Sequence, residues 1–285
     1  MGQNQWLSSW YDRGGRFAVK MGGLAILPTM DLKILQLTPL YIGNAVINDE
    51  TDERGMYDYF GSHALISDET LSQIQQHCDF SPNATTRSDK CDQASDKAGI
   101  DVSKLDIYNI YAPLCSNSSL TIKPKKATSM LIDPCSDYYV YAYLNRPDVQ
   151  MALHANVTKL DHDWEPCSGV IHNWQDSPST VIPLLKEFME NGLRVWIFSG
   201  DTDARVPVTS TKYSIETMKL SIKTAWHHWF IKGEVGGFTQ VYEGDLTFAT
   251  VRGAGHQVPS YQPRRGLSLV MHFLAGTPLP DSSRH

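Results

Sequence analysis

Three features are missing from the sequence, and each absence narrows the classes to which the protein can belong. None of its apolar runs is long enough to cross a bilayer, so we expect no membrane-spanning segment. Residues 1–6 lack the basic start and the apolar stretch of a signal peptide. An excess of basic residues is also missing: the 285 residues have a formal net charge of -6 at pH 7, which argues against binding to nucleic acid.

A fourth absence concerns catalysis. The turn Gly-x-Ser-x-Gly, which presents a nucleophilic serine in many hydrolases, occurs nowhere in the sequence. The nearest approach is Gly-Leu-Ser-Leu-Val at 266–270, which lies inside a helical pattern. The adjacent His227 and His228 make a poor metal site, because neighbouring side chains of a strand point to opposite faces. We therefore expect neither a metal nor a cofactor.

Two apolar runs are each followed by residues that can carry chemistry. The run 193–198 ends shortly before Asp201 and Asp203, and the run 246–252 ends shortly before His256. Short apolar runs bounded by glycine and proline indicate buried strands of a parallel sheet, whose sites lie at the carboxyl ends of the strands. An Asp followed by a later His is the chain order of α/β-hydrolases. Such an Asp is more often a turn residue than a catalyst, so both interpretations stay open at this point.

The sequence around these residues resembles that of plant serine carboxypeptidase-like proteins. Matching segments are Phe-Ser-Gly-Asp-Thr-Asp-Ala-Arg-Val-Pro at 198–207, Val-Arg-Gly-Ala-Gly-His-Gln-Val-Pro at 251–259, Gly-Asn-Ala-Val-Ile-Asn-Asp at 43–49 and Gln-Met-Ala-Leu-His-Ala-Asn-Val-Thr at 150–158. The resemblance implies an α/β-hydrolase fold. It implies further that residues 41–285 are the C-terminal two-thirds of a serine carboxypeptidase domain, preceded by an atypical segment over residues 1–40.

The resemblance also implies roles for individual side chains. His256 is the expected general base and Asp203 the carboxylate that orients it, with Asp201 as the rival for that second role. Asn44, near the rim of the site, and Gln257, where many family members have Glu, are expected to bind substrate. The family's nucleophilic serine and its glycine-rich oxyanion segment lie upstream of the segment matching 43–49, and this sequence has no counterpart of either. We therefore expect the chain to be inactive by itself.

The function that the resemblance implies is that of a serine-type carboxypeptidase, which hydrolyses the C-terminal residue of a peptide with a free carboxyl group. Two alternatives stay open: an inactive remnant that binds a partner or peptide, and a family acyltransferase or hydroxynitrile lyase. A homodimer is one assembly that the resemblance allows. It also places the protein in the secretory pathway, as a vacuolar or extracellular protein.

Cysteines and glycosylation motifs fit a secretory protein. The resemblance implies disulfides Cys78–Cys91 and Cys115–Cys135, and the fifth cysteine, Cys167, would then lack its family partner, which lies near the missing N-terminus. A buried free thiol is the alternative for Cys167. Glycosylation sequons begin at Asn83, Asn117 and Asn156.

The composition, with 41 % hydrophobic and 20 % charged residues, predicts one large domain or one domain with an insertion. A helical pattern over about 55–165 predicts that insertion, at a place where α/β-hydrolases have lids. Within it, Lys123–Lys126 forms either a solvated loop or, by resemblance, the processing site of two-chain family members.

The remaining pattern predicts a polar loop over 44–52, a helix from Ser177 to Gly192, and a second helix over about 209–218. Strands follow over 226–252, with turns at the glycines Gly233, Gly236, Gly237 and Gly244. A closing helix over 261–275 has four apolar residues at helical spacing, which are Leu267, Val270, Met271 and Leu274.

Overall fold

A computed structural model describes residues 10–12, 16–18, 39–84, 86–116, 133–166, 170 and 177–282. Three features of the sequence, Asn117, the Lys123–Lys126 loop and Cys167, lie outside these residues. The chain divides into two compact units, one of residues 1–5 with 112–176 and the other of residues 6–111 with 177–285. The predicted insertion over about 55–165 stays a prediction, since its helices divide between the two units.

A five-stranded mixed sheet forms the centre of the larger unit. Its strands are β3 (Leu40–Gly43), β4 (Val195–Gly200), β5 (Ile222–Ile231), β6 (Glu234–Tyr242) and β7 (Leu246–Val251), in the spatial order β3-β4-β7-β6-β5. The first three in that order are parallel, and β6 and β5 continue the sheet as an antiparallel hairpin. Every residue of β4 and β7 is buried, as expected for strands with a neighbour on each side. Strands β1 (Trp10–Asp12) and β2 (Arg16–Ala18) form a separate antiparallel pair.

Helices of the larger unit are α1 (Asp49–Ser62), α2 (Asp68–His77), α3 (Asp89–Val102), α6 (Ile182–Glu190), α7 (Val208–Thr217), α8 (Val258–Tyr261) and α9 (Pro263–Ala275). Those of the smaller unit are α4 (Ser136–Leu144) and α5 (Pro147–Ala152). Across the described residues, no helix combines the length and the apolar character that crossing a membrane requires.

Two hydrophobic cores are formed by described residues of the larger unit. The first lies between the sheet and helices α6 and α7 and includes Leu40, Ile42, Leu185, Ile197, Ile215 and Phe248. The second joins α1, α2 and α3 through residues such as Tyr59, Phe60, Ile74 and Ala98. The Cys78–Cys91 disulfide ties the end of α2 to the first turn of α3 and so closes this second core.

Helices α1 and α7 pack so closely that only glycine fits at one point of contact. A Cβ atom on Gly55 would lie 2.5 Å from the backbone of Ser210. Hydroxyl groups of α7 also bond the backbone of α1: Thr209 Oγ1 donates to the Gly55 carbonyl at 2.6 Å, and Ser210 Oγ to the Asp52 carbonyl at 2.8 Å. This contact fixes the loop that precedes α1 relative to the loop that precedes α7.

Asp52 reinforces the same contact from inside. Its Oδ2 accepts the backbone N–H groups of Ile47 and Asn48 at 2.7 and 3.0 Å, and its Oδ1 accepts the Ser214 hydroxyl at 3.1 Å. Because Asp52 bonds the preceding residues in this way, the helix starts at Asp49. The predicted loop over 44–52 was therefore too long, and the structure limits it to 44–48.

The helix predicted from Ser177 to Gly192 starts later than expected. It begins at Ile182, with Pro183 in the first turn, and its buried residues are Leu185 and Met189. Thr180 instead forms a β-bridge with Asn48, because the Ser179 carbonyl accepts the N–H of Asp49 and the N–H of Val181 donates to the Ile47 carbonyl, each at 2.9 Å. Backbone pairing with a segment distant in the sequence thus prevails over the local Ser-Pro start signal.

The turn predicted at the pair Gly236 and Gly237 is wrong. Gly236 and Gly237 lie inside β6, where a Cβ would meet the Trp229 ring at 2.2 Å and the Thr250 carbonyl oxygen at 1.9 Å, respectively. Their small size therefore makes room for a neighbour. The prediction for Gly233 is confirmed: Lys232 and Gly233, with φ of 48° and 80°, form the two-residue turn between β5 and β6. Positive φ at both positions is the geometry of a type I′ hairpin turn.

The closing helix is present, but three of the four apolar residues that predicted it face outward. Leu267, Met271 and Leu274 are 61 %, 58 % and 63 % exposed, whereas Leu269 and Phe273 are buried. The buried side includes Phe273, which packs on the ring of Tyr41 in β3 and on Trp196 in β4.

The smaller unit contains the second disulfide, Cys115–Cys135, at the start of α4. Asn145, at the end of that helix, bonds the backbone N–H and carbonyl of Trp164 at 2.7 and 2.8 Å. Helix α4 buries none of its residues.

Candidate active site

Asp203 and His256 meet at the carboxyl ends of two neighbouring strands. Asp203 follows β4 and His256 follows β7, and these parallel strands pair in register up to Gly200 and Val251. Nδ1 of His256 lies 2.8 Å from Oδ2 of Asp203. Since a carboxylate can only accept, this contact places the proton on Nδ1. Asp203 is completely buried, and the His256 side chain is 16 % exposed.

Two further donors hold the Asp203 carboxylate. The backbone N–H of Arg205 donates to Oδ1 at 2.8 Å, and Nδ2 of Asn44 donates to Oδ2 at 2.8 Å. Asn44 is 4 % exposed, and its Oδ1 accepts the Gly200 N–H at 3.1 Å. A buried carboxylate needs such donors, because leaving its oxygens unpaired away from water is costly.

The loop that carries His256 is fixed by close backbone contacts. The His256 N–H donates to the Tyr108 carbonyl at 2.8 Å, and the two rings lie 5.3 Å apart at an interplanar angle of 50°. Gly255 has to be a glycine here, because a Cβ would lie 2.1 Å from the same Tyr108 carbonyl oxygen. Gly200 is restricted in the same way, since its Cβ would lie 2.3 Å from the Ala254 carbonyl oxygen.

Asp201, the rival carboxylate, bonds the backbone of the histidine loop. Its Oδ1 accepts the N–H of Gly253 at 2.7 Å, and the next residue, Thr202, donates its N–H to the Ala254 carbonyl at 2.9 Å. Burial raises the pKa of Asp201, and the Gly253 N–H opposes that rise. Of the two carboxylates, Asp203 is therefore the one hydrogen-bonded to the imidazole.

The other candidate residues are placed as follows. Gln257 is exposed directly after His256, and it precedes the short helix α8. The sequon residues Asn83 and Asn156 are both exposed. Their glycosylation stays a prediction, as do the substrate contacts of Asn44 and Gln257. Among the residues that the structure describes, no group of three or more His, Cys, Asp or Glu side chains could hold a metal ion.

Sequence reasoning missed two contributors to the site. Tyr108 supports the His256 backbone, and the Tyr59 hydroxyl donates to the Asp201 carbonyl at 2.8 Å. Both lie in the helical region, more than 140 residues before the groups they bond, so no local spacing signals the contact. The tight glycine at Gly255 was the available hint that another backbone approaches there.

Three comparisons with known proteins agree with one another. A sequence model of the serine carboxypeptidase family matches residues 28–276. Serine carboxypeptidase-like 40 of Arabidopsis thaliana is 62 % identical over 251 residues, which make up 87 % of this chain and 50 % of that protein. Serine carboxypeptidase II-1 of Hordeum vulgare is 40 % identical over 253 residues, covering 87 % of this chain and 78 % of the relative.

A solved structure shows the same fold. A prohormone-processing carboxypeptidase of Saccharomyces cerevisiae, Kex1(Δ)p, superposes with a TM-score of 0.56 at 19 % identity, covering 84 % of this chain and 54 % of that one. The architecture is thus that of the α/β-hydrolases, as predicted. This chain spans about half the length of the Arabidopsis relative. With the family match covering most of its residues, the chain belongs to the serine carboxypeptidase family.

Proposed function

We propose that this chain supplies the acid–base half of a serine carboxypeptidase site, with His256 as general base and Asp203 as its orienting carboxylate. The observation that carries this proposal is the 2.8 Å contact between the His256 imidazole and the fully buried Asp203. In a complete site, a serine hydroxyl attacks the peptide carbonyl while the imidazole takes its proton, then returns it to the leaving amine. Asp203 would hold the ring in the tautomer that leaves Nε2 able to accept that proton.

The proposed substrate is a peptide with a free C-terminal carboxyl group. Gln257 supports this choice, because its amide is exposed next to His256 and can donate a hydrogen bond to a carboxylate. The barley relative and the yeast protein are both named as carboxypeptidases, and we extend that class of reaction to this chain. A vacuolar or extracellular location is also proposed, and the two disulfides support it because such bonds persist in oxidising compartments.

The chain by itself is proposed to be inactive, because it contains no Gly-x-Ser-x-Gly turn. Loss of the serine alone from a triad of this kind lowers kcat by roughly 10⁶-fold. The same absence favours a second candidate function, a non-catalytic protein that retains the fold and binds a peptide or partner.

A chimera separates the two functions. The N-terminal half of the Arabidopsis relative that is 62 % identical would be joined in front of residue 39. We expect the chimera to hydrolyse a blocked dipeptide and to react with a phosphonyl fluoride, and both properties should disappear in His256→Gln. His272→Gln, which changes a histidine near the end of α9, is the matched control and should leave both intact.

The 285-residue chain alone should show neither property. Stoichiometric labelling of a serine in the chain alone, abolished by His256→Gln, would contradict the half-site proposal. A well-folded chimera that neither hydrolyses nor reacts would favour the non-catalytic binding protein instead.

A further inference from the structure

We infer that Asn44 is a positioning residue for the Asp203–His256 pair, and that its neutral amide is the property that matters. The inference concerns hydrogen bonds that are present in this chain. It rests on the proposed function only for its catalytic consequence, since His256 must act as a base for Asn44 to influence the reaction.

One carboxylate oxygen is shared by both partners. Oδ2 of Asp203 accepts Nδ1 of His256 at 2.8 Å and Nδ2 of Asn44 at 2.8 Å, while Oδ1 accepts the Arg205 N–H. The Asn44 bond therefore acts on the same atom that holds the imidazole. It fixes the direction of that oxygen. Because the Asn44 N–H shares the Oδ2 acceptor with the His256 N–H, it also reduces the negative charge that acts on the imidazole.

The orientation of the Asn44 amide follows from its two partners. Its Nδ2 faces a carboxylate, which can only accept, and its Oδ1 faces the Gly200 N–H, which can only donate. A flipped amide would lose both bonds, so the donor must point to Asp203. The Asn44 backbone N–H also donates to the Phe198 carbonyl at 2.9 Å, which fixes the residue from a third side.

The backbone of Asn44 limits which residues can take its place. Its φ is 43°, in the left-handed region that glycine, asparagine and aspartate tolerate best. Glycine would keep this backbone and remove the amide. Aspartate would keep both the backbone and the shape of the side chain while exchanging the donor for a carboxyl group.

The aspartate variant has a distinctive dependence on pH. Two carboxyl groups at hydrogen-bond distance cannot both ionise easily, so one of them holds its proton to a higher pH than usual. While protonated, the new carboxyl group donates to Asp203 as the Asn44 amide does. Once ionised, it repels Asp203 and can no longer donate. A side chain that merely filled space would show no such pH dependence.

The test measures the reactivity of His256 in the chimera described under the proposed function, which we expect to fold. Diethyl pyrocarbonate modifies neutral imidazole. Peptide mass spectrometry measures the rate of modification at His256 separately from that at His272, and the His272 rate serves as an internal control for the activity of the reagent. The rate would be followed from mildly acidic to mildly alkaline pH in the parent chimera and in its Asn44→Gly and Asn44→Asp variants. Asn191→Asp, at the exposed end of α6, is the matched control.

We expect Asn44→Gly to change the His256 rate several-fold at every pH. Asn44→Asp should match the parent in acid and depart from it several-fold as the pH rises, while Asn191→Asp follows the parent throughout. An unchanged rate in Asn44→Gly would overturn the inference, as would an equal, pH-independent change in both variants. If Asn44→Asp fails to fold by near-UV circular dichroism, Asn44→Gly alone decides. No step of the assay requires hydrolysis, so a failed carboxypeptidase proposal would leave the result interpretable.

Discussion

Asp201 and Asp203 are two residues apart and bond different parts of the same histidine loop, one the backbone at Gly253 and the other the imidazole. In the active chimera, we expect Asp203→Asn to lower kcat by about 10⁴-fold, the order found when a triad loses its orienting acid and the wrong tautomer prevails. Asp201→Asn should lower kcat much less, because its amide oxygen can still accept the Gly253 N–H. Steady-state kinetics on a blocked dipeptide checks the ranking, and the reverse order would exchange the two roles.

Asp52 should make the stability of the chain depend on pH. Burial raises the pKa of its carboxyl group from 3.8 to about 7, although the N–H groups of Asn48 and Ile47 oppose the rise. The folded state therefore binds a proton that the unfolded state releases at lower pH. This contribution to stability is fully present below the unfolded pKa and is lost as the pH rises toward 7, with a slope of at most about 1.4 kcal/mol per pH unit.

Replacing Asp52 by Asn should flatten this dependence, since an amide keeps an acceptor for the backbone and can donate to Ser214. Reversible urea unfolding of the chimera at a series of pH values measures the slope, with Asp68→Asn on the exposed start of α2 as control. A variant as pH-dependent as the parent would show that other groups control the stability.

The acid–base pair could be predicted from the sequence because Asp203 and His256 each follow a strand and each lie in a short motif that resembles the family. The contacts around it could not. Asn44 lies 159 residues from Asp203 in the sequence, and its role depends on β3 lying next to β4. Tyr108 contributes a backbone carbonyl, which any residue type could supply, so its identity gives no signal.

At the scale of elements, the contact between α1 and α7 is the one most sensitive to size. Gly55→Ala should destabilise the chain by about 1–3 kcal/mol, because the added methyl group meets the Ser210 backbone and the helices must separate. Gly99→Ala, on α3, is the matched control, since its Cβ would meet nothing within 4 Å and alanine favours a helix by about 1 kcal/mol. Denaturant midpoints of the two variants, made in the chimera, check the contrast, and equal effects would refute the packing argument.

The elements themselves were predicted well where one periodicity ran without interruption. Strands β4 and β7 and helix α7 fall within a few residues of their expected positions. Errors arose where distant backbone decided the outcome, as at the start of α6, which pairs with the loop before α1, and at Gly236 and Gly237, which lie beneath Trp229. Local sequence signals indicate which secondary structures a segment can form, and the segments that pack against it determine which of these it adopts.

At the scale of the whole molecule, the outer edge of β3 should govern solubility. Within the described residues, β3 pairs only with β4, so one row of its backbone groups has no strand beside it. An apolar strand edge of this kind templates association. We predict that the 285-residue chain alone aggregates or stays loosely packed and binds a hydrophobic dye, whereas the chimera does not. Size-exclusion chromatography and dye fluorescence measure this, and a monodisperse chain with a sharp thermal transition would be the contrary result.

The Lys232–Gly233 turn has a practical consequence for anyone who wishes to label or fuse this protein. It joins β5 and β6, which extend the sheet beyond the histidine-bearing strand, and both of its residues already adopt the backbone of a solvent-facing hairpin. Opening the chain there would leave every hydrogen bond around Asp203 and His256 on uninterrupted segments. A fluorophore, an affinity tag or a pair of new termini can therefore be introduced at that turn, and the engineered product would retain the chemistry-bearing end of the sheet.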